Sequence, residues 1–140
     1  MSKSKPKIKD VQVSLGKNIK PSTDKAENTE IKHPVFCLKY LNRHYHLDKC
    51  IDKEKAALIS KMSLLSQCTW NEVHMNPRHA LGLEKIQQSS IKGAAIPAHL
   101  TKDEVLYALR FDGMKAMVGY KSTFVFHIVY LDRDFTLYKH

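Results

Sequence analysis

VLYALRF at 105–111, MKAMVGY at 114–120 and TFVFHIVYL at 123–131 decide the fold of this chain. The DG at 112–113 and the KS at 121–122 are short, turn-like connections of the kind that join antiparallel strands. The three segments therefore predict a β-meander. The third segment is apolar on both faces, so we expect it to lie inside the sheet, covered on both sides.

A further strand is predicted after the DRD at 132–134, from Phe135 to Tyr138, and only Lys139 and His140 follow it. Chain termini are usually poorly ordered unless something holds them. This chain instead ends with an aromatic residue, a base and an imidazole directly after an apolar run. The ending is therefore a candidate site.

Upstream of the meander, HPVFCLKYL at 33–41 is typical of a first strand, because Phe36, Leu38 and Tyr40 alternate onto one face. NRHYHLDKC at 42–50 breaks this alternation and is expected to form a loop.

DKEKAALISKMSLLSQ at 52–67 predicts the longest helix, with Asp52 or Asp48 as its cap. Its apolar residues recur at helical spacing: Leu58, Met62 and Leu65, with Ile59 beside them.

Thr69 and Glu72 form a capping-box pattern, which predicts a second short helix that begins at Trp70. Pro77 is expected to end or bend it. RHALGLEKI at 78–86 is expected to form a third turn or short helix.

The order of strand, two helices and consecutive strands predicts an α+β fold in which a helical hairpin packs against an antiparallel meander. We assign this single domain to residues 34–140. Residues 1–33 are rich in lysine and hold no aromatic residue, so they are predicted to be a disordered tail.

The composition restricts the class of protein. The 140 residues carry a formal net charge of +9, which favours a polyanionic partner such as RNA, DNA or an acidic protein. No apolar run is long enough to span a membrane, and no secretory signal begins the chain. Cys37, Cys50 and Cys68 are odd in number and form no CxxC pattern, which predicts a cytoplasmic protein.

The sequence offers only a partial set of zinc ligands, so we expect no metal site. His44, His46 and Cys50 lack a second clean pair, and His74 and His79 do not complete one. Nucleotide-binding glycine motifs and the GxSxG signature are also absent from the sequence. We therefore predict no cofactor.

The remaining candidates are bases, aromatics and one carboxylate around the meander. Arginine and lysine stabilise charge on phosphoryl oxygens, glutamate or histidine accepts the proton of a ribose 2′-hydroxyl, and tyrosine stacks on bases. This chemistry is metal-free RNA cleavage that leaves a cyclic phosphate. The candidates are Arg110, His127, His140 and Glu84, together with Lys115, Tyr120, Arg133, Tyr138 and Lys139 for substrate binding.

Several of these residues also have structural interpretations. Arg133 lies between two aspartates and is interpreted first as a turn residue. Glu84 has Lys85 and Arg78 as possible surface partners, and Arg110 has Asp112 or Asp134.

Three stretches resemble the RelE/ParE-type toxin superfamily over residues 34–140. GLEKI at 82–86 resembles the Gly-Pro-Glu-x-Leu segment of its YoeB-like branch, and this implies that Glu84 is a general base. YALRFDGMKAMVGY at 107–120 resembles the arginine-bearing double strand of that branch and implies a role for Arg110. TLYKH at 136–140 resembles endings with a catalytic histidine and tyrosine, here His140 and Tyr138.

The chain departs from the family pattern at two points. The second arginine of the double strand aligns with Ala116, and Lys115 lies one position earlier, so only a bulge or a shifted register would let Lys115 replace it. The family ending is histidine–tyrosine, whereas this chain ends tyrosine–lysine–histidine.

The resemblance implies a type II toxin that cleaves mRNA, on the ribosome or free of it, and binds an antitoxin protein. It implies that Glu84, Arg110 and His140 are the catalytic residues. Two alternatives remain open. One is a ParE-like toxin that inhibits a topoisomerase by binding, and the other is a non-catalytic RNA- or protein-binding module.

Overall fold

The computed structural model describes residues 32–77 and 81–140. The predicted tail at 1–33 lies outside these ranges except for Lys32 and His33, so its disorder stays a prediction. Within the described ranges, none of the helices combines the length and the apolarity that crossing a bilayer requires.

One strand, two helices and four further strands follow one another along the described chain. They are β1 (Val35–Cys37), α1 (Asp52–Ser66), α2 (Trp70–Met75), β2 (Glu84–Ile86), β3 (Leu106–Asp112), β4 (Lys115–Ser122) and β5 (Val125–Asp132). Short 3₁₀ helices lie at Leu47–Lys49 and Gln88–Ser90. This is an α+β fold, as the order of the predicted elements indicates.

The five strands form one mixed sheet in the order β1-β5-β4-β3-β2. β2, β3, β4 and β5 pair antiparallel, whereas β1 pairs parallel to β5. The predicted meander is confirmed, and β5 lies inside the sheet as its apolar faces indicated. The parallel pairing is possible because two helices and three strands lie between β1 and β5 along the chain, which is ample length for a crossover connection.

Two-residue turns join the strands of the meander. Asp112 pairs with Lys115, and Gly113 between them adopts a φ of 61°, a conformation that favours glycine. The second turn lies at 123–124, two residues after the predicted KS, because Ser122 still pairs with Val125.

The prediction of a helix or turn through GLEKI is wrong at Glu84–Ile86, which forms the edge strand β2. Glu84 pairs with Ala108 of β3, and Ile86 is buried. A three-residue strand is too short for its periodicity to distinguish it from a turn in the sequence. Pairing with β3 supplies the hydrogen bonds that decide its conformation.

The prediction of a strand at Phe135–Tyr138 is also wrong. Both sides of β5 are already occupied, by β4 on one side and by β1 and residues 42–45 on the other. No strand position beside β5 is therefore left for the chain end. Phe135 adopts a φ of 60°, and the chain turns back over the sheet.

The sheet separates two apolar layers. On one face, α1 and α2 bury Leu58, Leu65, Trp70 and Val73 against the sheet. On the opposite face, the loop at 87–105 and the chain end bury Ile91, Leu137 and Tyr138 against β3, β4 and β5. We call these the helix face and the loop face.

In both helices the third residue is a glutamate, and its side chain accepts a hydrogen bond from the backbone N–H of the residue three positions earlier, at the N-cap. Thr69 and Glu72 form the predicted capping box of α2, with distances of 2.8 and 3.1 Å. The cap predicted for α1 is wrong: the N-cap is Ile51, whose backbone N–H donates to Glu54 at 3.0 Å. Neither Asp48 nor Asp52 occupies that position.

Glu54 also anchors α1 to the end of β5. Its side chain is 3% exposed and accepts two hydrogen bonds from Arg133, at 2.7 and 2.9 Å, and the Lys115 ammonium lies 3.6 Å away. The Arg133 hydrogen bonds are the main cause that lowers the pKa of Glu54 from 4.5 to about 2. The carboxylate is therefore ionised throughout the neutral and mildly acidic range.

We expect Glu54→Gln to lower the free energy of unfolding at pH 7 by roughly 1.5–3 kcal/mol, because Arg133 loses a charged acceptor. The pKa of Glu54 is lower in the folded state, so its stabilisation is complete above pH 4.5 and is lost as the pH falls towards 2. Urea unfolding of both proteins between pH 7 and pH 2.5 tests this: the difference should shrink with acid. Asp52→Asn, at an exposed carboxylate of the same helix, is the control, and a difference that is independent of pH would contradict the assignment.

A β-bulge lies between β4 and β5. Val118 pairs with Tyr130 and Gly119 with Ile128, so Val129 has no opposite residue. Val129 and Tyr130 both contribute to the loop-face core, as expected where a bulge rotates the strand. At this point a Cβ on Gly119 would overlap the backbone carbonyl oxygen of His127.

Gly119→Ala should therefore lower the free energy of unfolding by about 1–3 kcal/mol, because the strands must separate to admit the methyl group. Gly113→Asn is the matched control, since the space around Gly113 is open and asparagine tolerates its φ. Chemical denaturation measures both variants. Equal stability of Gly119→Ala and the wild type would contradict the prediction, because it would show that the backbone at the bulge moves apart at no cost in free energy.

Candidate active site at the chain end

Asp132, the last residue of β5, organises the end of the chain. Its side chain is fully buried, and its Oδ1 accepts hydrogen bonds from the backbone N–H groups of Thr136 and Leu137, at 3.0 and 3.2 Å. These bonds replace the inter-strand hydrogen bonds that the predicted strand at Phe135–Tyr138 would have formed. The Leu137 carbonyl in turn accepts from the N–H groups of Lys92 and Gly93. We call residues 133–140, folded back in this way, the terminal hook.

The hook places His140 against Asp132, with His140 Nε2 2.8 Å from Asp132 Oδ2. A carboxylate offers only acceptors, so Nε2 donates and Nδ1 is the nitrogen left to accept a proton. Tyr138 stacks on the imidazole at a centroid distance of 4.2 Å, and Phe135 meets it edge-on at 5.0 Å. The His140 side chain is 11% exposed and is held on three sides.

The strand register brings Arg110 to the same face as Asp132. Arg110 pairs with Ala116, and Ala116 pairs with Asp132, so the three residues form one row across the loop face. Glu84 pairs with Ala108, which makes it the diagonal neighbour of Arg110, a position roughly 7–8 Å away. The three predicted catalytic residues, Glu84, Arg110 and His140, therefore lie on one face of the sheet.

A groove of about 420 Å³ opens beside the hook between β2 and the chain end. Tyr138 connects the two features, since it lines the groove and also stacks on His140. The lining residues are Glu84, Lys85, Ile86, Gln87, Ser89, Ser90, Lys92, Tyr138 and Lys139. Three lysines and one glutamate at one opening suit a phosphate-bearing ligand next to a proton acceptor.

Two predicted substrate-binding residues lie elsewhere. Lys115 and Arg133 both contact Glu54, on the helix-face side of the strand ends. A register shift does occur in β3 at Phe111, but it does not bring Lys115 to Arg110, because the ammonium lies against Glu54. Arg133 also contacts Asp134 at 2.7 Å, which agrees with its interpretation as a turn residue.

Tyr120 lies on the loop face but belongs to a different group of side chains. It is separated from Ala116 by four residues along β4, which is about 13 Å. Its hydroxyl lies 2.7 Å from His99 Nε2, and its ring stacks on His127 at 4.6 Å. Burial is the main cause that raises the pKa of Tyr120 and lowers that of His127.

Sequence reasoning missed two residues of this site, Asp132 and Lys92. Asp132 directly follows the long, mostly apolar run of β5, and this position indicates a buried carboxylate. A buried carboxylate needs several hydrogen-bond donors around it, so the pattern predicts that other groups converge there. Lys92 gave no signal, because its position in the groove depends on how the loop at 87–105 crosses the sheet.

The predicted partial zinc set does not assemble in the described residues, where no group of three or more histidine, cysteine or acidic side chains is placed to hold a metal ion. His46 instead lies 3.3 Å from Asp48 and caps the first 3₁₀ helix. His79 is outside the described residues. The three cysteines are free thiols.

No protein family, no curated protein and no solved structure matches this chain. The expected membership of the RelE/ParE-type superfamily therefore stays a prediction that rests on the three sequence stretches.

The hook gives a direct structural prediction. Asp132→Ala removes the acceptor for the Thr136 and Leu137 amides, so we expect their hydrogen exchange to accelerate roughly 10–100-fold. Asp132→Asn keeps an oxygen for these amides but loses the carboxylate acceptor for His140. Exchange measured by NMR should therefore stay near the wild-type rate in Asp132→Asn, and equal exchange in all three proteins would rule out the hook.

Proposed function

We propose that this chain is the toxin of a type II toxin–antitoxin system and acts as a metal-independent mRNA endonuclease. The observation that carries the proposal is the buried Asp132 carboxylate bonded to His140 Nε2 at 2.8 Å, beside a groove that three lysines line. The net charge of +9 favours a polyanionic substrate. The motifs that resemble RelE/ParE-type toxins point to mRNA among the polyanions.

In the proposed reaction, the ribose 2′-oxygen attacks the adjacent phosphorus, and the bond from phosphorus to the 5′-oxygen breaks. Glu84 accepts the proton of the 2′-hydroxyl, and His140, protonated at both ring nitrogens at this step, delivers its Nδ1 proton to the departing 5′-oxygen. Protons lost and gained balance, and the products are a 2′,3′-cyclic phosphate end and a 5′-hydroxyl end.

Asp132 is a positioning residue in this scheme. Its Oδ2 holds Nε2 of His140, which orients the ring and leaves Nδ1 for proton transfer. Tyr138 supports the same ring from its face. A fixed imidazole next to the scissile bond removes the orientational cost that a free terminal residue would incur.

Positively charged side chains on the loop face are proposed to bind the phosphate groups of the RNA. Arg110 is proposed to stabilise the negative charge that develops on the phosphoryl oxygens. Lys92 and Lys139 at the groove are proposed to contact flanking phosphates, so binding should weaken as salt rises. The substrate is proposed to be mRNA, free or on the ribosome, and an antitoxin that covers the basic surface with a helix or strand is the proposed protein partner.

We expect His140→Gln to lower RNA cleavage roughly 10²–10⁴-fold, because glutamine can donate to Asp132 but cannot transfer a proton at neutral pH. Purified protein is incubated with RNA in EDTA, and the ends are tested for 5′-hydroxyl and cyclic phosphate. His46→Gln is the matched control, since it alters a histidine next to an aspartate that lies away from the groove.

Induced expression in a bacterial host separates the alternatives. Growth arrest with new transcript ends, both lost in His140→Gln, supports the endonuclease. Arrest that persists in the variant with intact transcripts would instead support a ParE-like topoisomerase inhibitor. Absence of arrest with salt-sensitive RNA binding would support a non-catalytic binding module.

A further inference from the structure

Four rings gather at the opposite end of the loop face from the terminal hook. Tyr120 and His127 form the lower layer, stacked at 4.6 Å with an interplanar angle of 14°. Above them, His99 and Tyr40 pack against each other, with a centroid distance of 4.3 Å and an interplanar angle of 37°, and this pair is the upper layer. We call this group the aromatic platform. The proposed cleavage reaction does not use it.

The lower layer is fixed by the sheet. Tyr120 on β4 pairs with His127 on β5, and His127 pairs with Cys37 on β1. Tyr120 is only 6% exposed. Burial, followed by the electrostatic effect of nearby His99, lowers the pKa of His127, which favours the neutral form of this ring.

The upper layer is exposed yet held in place. Tyr40 is 36% exposed, and His99 is also exposed. The hydroxyl of Tyr120 lies 2.7 Å from His99 Nε2, which ties the upper layer to the lower one. The loop that carries His99 is fixed on one side by the hydrogen bond from Tyr130 to the Ala95 carbonyl, at 2.7 Å.

A positive charge accompanies the exposed rings. The Lys39 ammonium lies over the Tyr40 ring, 5.3 Å from its centroid. Exposed aromatic rings next to a cation match the two parts of a nucleotide, since a ring binds the base by stacking and an ammonium binds the phosphate. The net charge of +9 makes a nucleic acid strand the complementary partner.

We propose that the aromatic platform is a binding subsite for an unpaired base of single-stranded RNA. The base stacks on the face of Tyr40 that the exposed Lys39 side chain covers in the free protein, and the Lys39 ammonium moves from that face to a phosphate. The rings are preorganised by hydrogen bonding and stacking, so little conformational entropy is lost when a base docks. The subsite shares the loop face with the proposed cleavage site but does not require cleavage.

The test uses the full-length wild-type protein and a fluorescein-labelled 2′-O-methyl oligoadenylate of twelve residues, which keeps its bases but has no 2′-hydroxyl to react. Fluorescence anisotropy measures the Kd. Base stacking predicts that Tyr40→Leu weakens binding about 5–150-fold. Tyr40→Phe keeps the ring and should stay within about twofold of the wild type.

Two further measurements separate base stacking from phosphate contact. An abasic strand of the same length should bind the wild type more weakly, and its Kd should not change in Tyr40→Leu. Lys39→Gln should reduce the slope of log K against log salt by about 1, whereas Tyr40→Leu should leave the slope unchanged. Thermal unfolding confirms that each variant is folded.

The proposal is overturned if the wild type does not bind the oligoadenylate, if Tyr40→Leu binds as tightly as the wild type, or if it weakens the abasic strand equally. Its outcome is separate from that of the cleavage proposal. Ring-dependent binding together with cleavage that is insensitive to His140→Gln would retain the platform and reject the active site. The reverse result would retain the active site alone.

Discussion

The buried carboxylate of Asp132 is the interaction on which the end of this molecule depends. A buried carboxylate is costly unless its oxygens accept hydrogen bonds, and here two backbone amides and one imidazole supply them. Those donors come from the last five residues of the chain. The hydrogen bonds that stabilise the Asp132 carboxylate therefore also fix the conformation of this segment. A segment that is usually free in proteins is thereby converted into part of the loop face.

The residue after Asp132 fixes the same strand end to the other face of the sheet. Arg133 follows Asp132 directly, but it contacts Glu54 at the start of α1. The end of β5 is therefore held from both sides of the sheet, by an ion pair towards the helices and by the hook towards the loops. The same division separates charges with a structural role, Glu54, Lys115 and Arg133, from those that lie on the proposed RNA-binding side.

Sequence patterns predicted local features well where their cause was local. The Thr69–Glu72 capping box and the turn at Gly113 depend on neighbouring residues, and both are confirmed. Glu84, Arg110 and His140 come from three separate stretches of the sequence, and the strand register brings Glu84 and Arg110 to the face on which the terminal hook places His140. Lys115 and Tyr120 were equally plausible from sequence. Their different positions follow from which partner, Glu54 or His99, lies nearby in the fold.

The sequence alone determined the α+β class, the meander and the basic character of the chain, because these follow from composition and from short-range alternation of apolar residues. The tertiary structure decided the conformation of the chain end. FTLY has the pattern of a strand, but both edges of β5 are occupied, so its amides bond to Asp132 instead. Long-range competition for hydrogen-bonding partners leaves no trace in a local pattern, and it is this competition that positions His140.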